Sequence, residues 1–397
     1  MTADERQERC DFLKNCTCRQ NQVTLLYYVD CSRLEIREIP KLPNNIEELS
    51  FKDNKIQVIS DQAFSDLTNL LKLDLSSNEI HEFSNTSLIG LKNLRSLNLQ
   101  NNKLDAKDEQ PQKCSYDIIC KKEPVTESEM KYGMEYSDQT FQARPLPMPH
   151  QLILLNYSSC HFDYSVLAFN SKNVDLSRNL LTSWIGPIYN VKSLKHLDFS
   201  SNFCSNVSHY FFSEDFGSLE ELHLQNNILG LVLPYDYKGE VLQNLHNLKT
   251  INLSQNKIQR LSKDFFKSQL KIERIDLSEN TFESIDFDIG HLKSLKYLNL
   301  KNNRISYLSA SAILQLNSIG ILNKIFTIDL SQNNFLCTCE TINFVQWLVT
   351  TTVRLTGKKN YTCQLSDLTL VSLENIDKLY DTLSKDCMSK FLLSLHL

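Results

Sequence analysis

Cysteine and histidine are the side chains of this 397-residue chain best equipped for metal binding, redox exchange or nucleophilic attack, and it carries twelve of the first and nine of the second. The spacing of the cysteines argues for a structural use. Cys10, Cys16, Cys18 and Cys31 run as C-x5-C-x-C-x12-C, and Cys337, Cys339, Cys363 and Cys387 as C-x-C-x23-C-x23-C. Thiols grouped in this way hold zinc or pair as disulfides. No histidine lies near the first group and neither group contains paired CxxC knuckles, which favours disulfides and an oxidising compartment. Cys114 and Cys120 can close a small loop with each other.

Catalytic residue types show no comparable grouping. The chain has no G-x-S-x-G, no H-E-x-x-H, no P-loop and no dinucleotide glycine pattern, and nine glycines leave little backbone to cradle a phosphate. Isolated Ser, His and Asp residues carry no chemistry without geometry. The residues therefore predict no cofactor, no metal centre and no enzymatic activity. A net charge of −5 with both signs interspersed requires no polyanion partner, so an obligatory nucleic acid is not expected.

The positioning elements come from a repeat. The pattern L-x-x-L-x-L-x-x-N-x-L fits eleven stretches from 46–56 to 325–335, with 70–80, LLKLDLSSNEI, as its clearest copy. In a short strand, alternate side chains point to opposite faces, so positions four and six turn to a core and three, five and seven turn away. One copy cannot cover its own apolar face, so copies stack as parallel strands. Ten of the eleven ninth positions are asparagine, whose amide can serve backbone groups left unpaired where the chain leaves the sheet. The exception is Cys160, and Cys204 falls on a core leucine position; both are expected to be buried free thiols, because a bridge between them would have to cross an intervening repeat. Strands about 4.8 Å apart, backed by bulkier return segments with Phe64, Leu88, Phe265 and Phe287, must curve into an arc of roughly 50 Å. Its concave face is a sheet.

This pattern resembles the leucine-rich repeat and implies an α/β leucine-rich-repeat solenoid, a horseshoe with a parallel β-sheet on its concave face. Loops and short helical turns are expected on the convex face, with disulfides capping both ends. The first cysteine group is similar to the N-terminal cap of extracellular repeat proteins, which implies pairs Cys10 with Cys18 and Cys16 with Cys31. The second, N-x-F-x-C-x-C before a helix with Phe344 and Trp347, is similar to the C-terminal cap of Toll-like receptor ectodomains, which implies Cys337 with Cys363 and Cys339 with Cys387. Adhesion-type and matrix repeat proteins often place a proline and a tryptophan before the first cysteine, where Asn334, Phe335 and Leu336 stand here. The resulting division is a cap over 1–45, a solenoid over 46–336 and a cap over 337–397.

The period breaks over 105–150, a polar segment with five prolines, read as an insertion that is either functional or a tolerated loop; Lys121 and Lys122 within it offer a processing site. The longer copies are expected to add loops, through LVLPYDYKGEVLQ and SASAILQLNSIGILNK, on the edge or back of the arc. Six N-x-S/T sequons, at Asn15, Asn85, Asn156, Asn206, Asn252 and Asn360, agree with secretion. A signal peptide and a membrane anchor are expected outside this chain, and FLLSLHL at its end, 391–397, is compatible with the start of an apolar span.

Positions five, seven and eight are nearly all polar, so no large apolar groove is predicted on the concave face. Candidate ligand or partner residues are Ile153 and Leu154 beside the insertion, the pair His196 and His223 on neighbouring strands, and a mixed patch of Arg274, Tyr297 and Phe326. The histidines are either a pH sensor or two solvated side chains. Asn156 and Asn252, at position five, would place glycans on the concave sheet and shift binding toward its edges. By resemblance, the chain is the ectodomain of a Toll-like innate immune receptor in a single-pass membrane protein, at the cell surface or in the endosomal lumen. It would bind a microbial or danger-associated ligand and signal through ligand-linked homo- or heterodimerisation. The alternative is a secreted or anchored non-signalling repeat protein, whether decoy, adhesion or lymphocyte-type receptor.

Overall fold

The computed structural model describes residues 8–10, 13–83, 87–88, 90–102, 154–156, 172–179, 181–184, 191–358 and 361–394. The insertion over 105–150, Ile153, Asn85, Asn360 and the thiols Cys114, Cys120 and Cys160 lie outside them. One fifteen-stranded sheet organises the chain, and its strands follow one another in chain order. They are β1 (Glu8–Arg9), β2 (Thr17–Gln20), β3 (Tyr27–Asp30), β4 (Ile46–Ser50), β5 (Lys72–Asp74), β6 (Ser96–Asn98), β7 (Leu154–Asn156), β8 (Asn173–Asp175), β9 (His196–Asp198), β10 (Glu221–His223), β11 (Thr250–Asn252), β12 (Arg274–Asp276), β13 (Tyr297–Asn299), β14 (Thr327–Asp329) and β15 (Arg354–Thr356). Every template copy contributes one strand, β4 to β14, over its positions three to five. Neighbours pair in parallel with each position opposite its counterpart, as Ile251 opposite Ile275 and Ile275 opposite Leu298.

Positions four and six form the core beneath the sheet: Leu73, Leu75, Leu97, Leu99, Ile251, Leu253, Leu298 and Leu300 are all buried. Aromatic rings from the return segments fill the space behind them. Trp184 stacks on Phe199 with centroids 4.9 Å apart, Phe211 meets Phe212 edge-on at 4.9 Å, and Phe265, Phe266, Phe282 and Phe287 form a second group. Each ring brings far more area than a leucine.

The ninth-position asparagines bind the repeats to one another. In nine repeats, from Asn54 to Asn333, Nδ2 donates to a carbonyl of the preceding repeat at 2.9–3.1 Å, as Asn280 does to Leu253. The same nitrogen donates to its own repeat, and Oδ1 accepts a backbone N–H from the repeat before, as Asn280 does from Ile258. Backbone polar groups that would be stranded at the exit from the sheet are thereby paired.

Both ends are closed. Disulfides join Cys10 to Cys18 and Cys16 to Cys31 at one, and Cys337 to Cys363 and Cys339 to Cys387 at the other. At the first, the antiparallel hairpin of β2 and β3 continues the sheet, with β3 parallel to β4. At the second, β15 pairs with β14, helix α2 (Ile342–Thr350) packs on the last repeat, and helix α3 (Ile376–Ser394) packs on α2. Phe344 and Trp347 are buried there, Phe344 5.2 Å from the ring of Phe335. Among the described residues no helix is long and apolar enough to cross a membrane.

Two expectations fail at the last repeat. The segment SASAILQLNSIGILNK is not a loop but helix α1 (Ala310–Leu322), whose N-cap Ser309 accepts a hydrogen bond from the N–H of Ala312. It docks on the cap through Trp347, whose Nε1 donates to Asn317 Oδ1 at 2.8 Å. The helix also resets the entry to β14: Phe326 is 1% exposed and takes the core place of a leading leucine, while Ile325, assigned that place by the template, is 53% exposed. Phe326 is therefore core, not a candidate contact on the concave face.

Candidate binding surface

The concave face is built from the strand side chains that point away from the core. Position five does less there than its polarity suggests. In eight repeats its Asp or Asn accepts, through Oδ1, the N–H two residues on at 2.8–3.1 Å: Asp74, Asn98, Asp175, Asp198, Asn252, Asp276, Asn299 and Asp329. These are Asx-type turns that steer the chain out of the strand. Position eight likewise belongs to the turn. Asp53, Ser77, Asn101, Arg178, Ser201, Asn226, Gln255, Glu279, Asn302 and Gln332 all have φ between 53° and 59°, a left-handed conformation that an L-residue adopts at a cost. Repetition was the available signal for both roles.

Position three, exposed at Lys72 and Arg274 and half-buried in the other described repeats, changes along the array. At the N-terminal end, Arg19, Tyr28, Asp30, Glu48, Lys72, Asp74, Ser96 and Asn98 line an open hollow of about 580 Å³. Within it Lys72 Nζ is 2.7 Å from Glu48 Oε1, and the Arg19 guanidinium is 5.1 Å from the centroid of Tyr28. Leu154 stands on β7 opposite Ser96 and Asn173.

In the middle, the structure brings the two candidate histidines onto one carboxylate. His196 lies opposite Glu221 in the register of β9 and β10, and Asp198 opposite His223. Glu221 Oε2 is 3.0 Å from His196 Nδ1 and 3.9 Å from His223 Nε2. Asp175 sits one strand away with its carboxyl pushed up from the ordinary range, chiefly by burial and further by Asp198.

Toward the C-terminal end, Arg274 and Tyr297 lie opposite each other on β12 and β13, with the guanidinium 4.9 Å from the ring centroid. A cation over an aromatic face is a preorganised, weakly hydrated donor surface of the kind that anchors partners. Burial, then Asp329 and Asp276, push the Tyr297 phenol up, so it stays a neutral hydrogen-bonding group. Phe326 is no part of this patch.

The edge at the N-terminal ends of the strands is a self-contained charge ladder. Glu220 takes Lys195 Nζ on Oε1 at 2.5 Å and Lys249 Nζ on Oε2 at 2.6 Å, and Lys296 Nζ meets Glu273 Oε2 at 2.6 Å. The two lysines hold the Glu220 carboxyl at about 2. Of the sequons among the described residues, Asn15 and Asn206 are exposed, while Asn156 and Asn252 lie on strands of the concave sheet. The thiol of Cys204 is free and buried, and burial pushes it up to about 12, which removes it from thiolate chemistry at neutral pH.

Comparison with known proteins agrees with this architecture. The leucine-rich-repeat family model matches residues 44–104 and 246–305. Toll-like receptor 4 of Pinctada imbricata is 31% identical over 217 residues, covering 54% of this chain and 24% of that protein. CD180 antigen of Mus musculus is 30% identical over 199 residues, covering 46% of this chain and 28% of that protein. The matches thus span about a quarter of the length of these curated relatives. Among solved structures, a chain in the octameric complex of Latrophilin 3, Unc5D and FLRT2 has the same fold, with a TM-score of 0.58 at 16% identity over 87% of this chain and 92% of that one. The chain has a disulfide-capped leucine-rich-repeat fold and is similar, over part of its length, to Toll-like receptor 4 and CD180 antigen.

Proposed function

We propose that this leucine-rich-repeat chain, kin to Toll-like receptors and CD180, is a ligand-binding receptor ectodomain that works by association rather than by covalent chemistry. The observation that carries the reading is a long sheet closed at both ends by disulfides, whose third strand positions, exposed or half-buried, vary while its turn positions repeat. A surface so divided has a fixed frame and a free lettering. In this reading a microbial or danger-associated ligand contacts the concave face and its edges, with Arg274 and Tyr297 as anchors. Binding brings two ectodomains together, and a membrane anchor beyond this chain carries the signal from the cell surface or endosomal lumen.

Light scattering of the secreted chain, alone and with a panel of microbial lipids, lipopeptides, nucleic acids and proteins, tests this. Ligand-dependent doubling of mass is expected, weakened by Arg274→Ala. A constant monomeric mass in the presence of a ligand shown to bind would sink ligand-driven dimerisation and leave the second reading, a non-signalling binding protein.

A further inference from the structure

The register that carries the repeats into the C-terminal cap lines up one row of third-position side chains across four strands: Arg274 opposite Tyr297, Tyr297 opposite Thr327, and Thr327 opposite Arg354. Arg354 belongs to β15, the strand that the cap adds to the sheet, so the repeat pattern alone does not announce it. Both arginines are exposed. Other charged third positions are answered from a neighbouring strand, Lys72 by Glu48 at 2.7 Å and His196 by Glu221 at 3.0 Å. Neither Arg274 nor Arg354 has an ion-pair partner among the described residues. We propose that this row is the docking site for an extended acidic segment of a partner protein, with one carboxylate on Arg274, a second on Arg354 and an apolar side chain between them on Tyr297. The proposal rests on the reading above that the concave face binds a ligand, and it names the chemistry of that ligand.

Spacing selects an extended segment. Three strand steps of about 4.8 Å put the Arg274 and Arg354 positions about 14 Å apart along the row, and four residues of extended chain span about 13 Å. Carboxylates four residues apart then fall on the same side of that chain, because its side chains alternate, and the residue midway between them faces the sheet as well. That residue meets Tyr297, which is half-buried and carries the Arg274 guanidinium 4.9 Å from its ring centroid. A guanidinium held over a ring is ordered before the partner arrives, and it keeps N–H donors for a carboxylate because the ring engages only its face. Charge selects a protein segment over a polymer of uniform charge. Asp276 and Asp329 stand two residues along β12 and β14 from the row, and both raise the Tyr297 phenol, so their charge acts on the space beside it. A nucleic acid or a sulfated polysaccharide, anionic at every unit, would bring like charge against them. An acidic segment places its charge at the arginines alone.

The test uses the whole secreted chain and a fluorescein-labelled peptide with two glutamates four residues apart and a leucine midway, followed by fluorescence anisotropy. Saturable binding is expected. Affinity should fall at least about tenfold with Arg274→Gln and with Arg354→Gln separately, since each removes a charge-assisted pair. Arg260→Gln, at an exposed position in a return segment, should leave it unchanged. Moving the glutamates to two residues apart, about 7 Å of extended chain, should weaken the peptide to a similar degree. Circular dichroism of each variant separates lost binding from lost fold. Absence of saturable binding at millimolar peptide, equal binding by the folded Arg354→Gln variant, or Arg354-dependent binding of a heparin oligosaccharide or a single-stranded oligonucleotide in place of the peptide overturns the proposal. Light scattering of the same samples reads dimerisation separately. Peptide bound to a constant monomer supports the acidic segment and removes only ligand-driven association, whereas doubling with another ligand and no peptide bound overturns the acidic segment alone.

Discussion

Two ladders of small polar side chains run along the solenoid, one residue per repeat, and they hold different things. The ninth-position asparagines are buried and join each repeat to the one before it. The fifth-position Asp and Asn side chains are mostly half-buried, and their turn bond closes within the repeat, Oδ1 to the N–H two residues on. The first ladder serves backbone groups of two repeats, whereas the second crosses between repeats only through side chains, as Asn98 does to Asp74 and Asn299 to Asp276. Reach explains the residue choice. A donor and an acceptor on one short side chain are needed to serve both repeats, which Asn provides and Asp does not, whereas the turn needs an acceptor alone.

The largest expected effect comes from breaking the shared ladder. Asn280→Ala leaves the carbonyls of Leu253 and Leu277 and the N–H groups of Ile258 and Asn256 without this partner. It should cost about 3–5 kcal/mol in denaturant unfolding, at about 1–3 kcal/mol for each buried group stranded and with partial relaxation. Asp276→Ala in the same repeat removes the bonds from the N–H and hydroxyl of Ser278 and from the Asn299 amide. It should cost only about 1–2 kcal/mol, since these groups are nearer water. If the two variants lose equal stability, the distinction between the ladders is wrong.

Between the ladders lies the left-handed eighth position. Gln332, with φ of 57° and an exposed side chain, should gain up to about 1 kcal/mol when changed to glycine, which adopts that conformation without steric cost. A loss measured by thermal unfolding would mean that the turn is not strained. The smallest effect belongs to the exposed edge. Glu220, held at about 2 by Lys195 and Lys249, has a folded pKa below its unfolded one. Its contribution is complete above about pH 4.5 and is lost as pH falls toward 2. Glu220→Gln should therefore lower stability near neutrality by less than about 1 kcal/mol and flatten the acid limb. A variant whose acid unfolding is unchanged would show that these lysines stabilise nothing.

Much of this frame was legible before any coordinates. Leucine spacing located all eleven repeat strands, and the asparagine at position nine announced a backbone-bridging amide. The face beyond that frame was misread in part. The turn role of Asp276 and its counterparts is hidden in the sequence because polarity alone does not reveal whether an oxygen is already accepting a bond. Helix α1 is not legible as a helix in the sequence because its apolar residues go round the whole helix, Leu316 and Ile319 inward and Leu314, Ile321 and Leu322 outward, so no single 3.6-residue stripe marks it. Ser309 at its N-cap and thirteen residues without proline were the signal available. Phe326 followed from that error, since the longer return shifts which residue enters the core.

The sequence by itself determined the repeat, its core and its inter-repeat amides, because these obey a local period that each copy states again. Tertiary structure alone decided which polar residues are left to bind something. Glu221 meets His196, and Arg274 meets Tyr297, across strands more than twenty residues apart in the chain. Such encounters depend on the register between repeats of unequal length, which no single copy specifies.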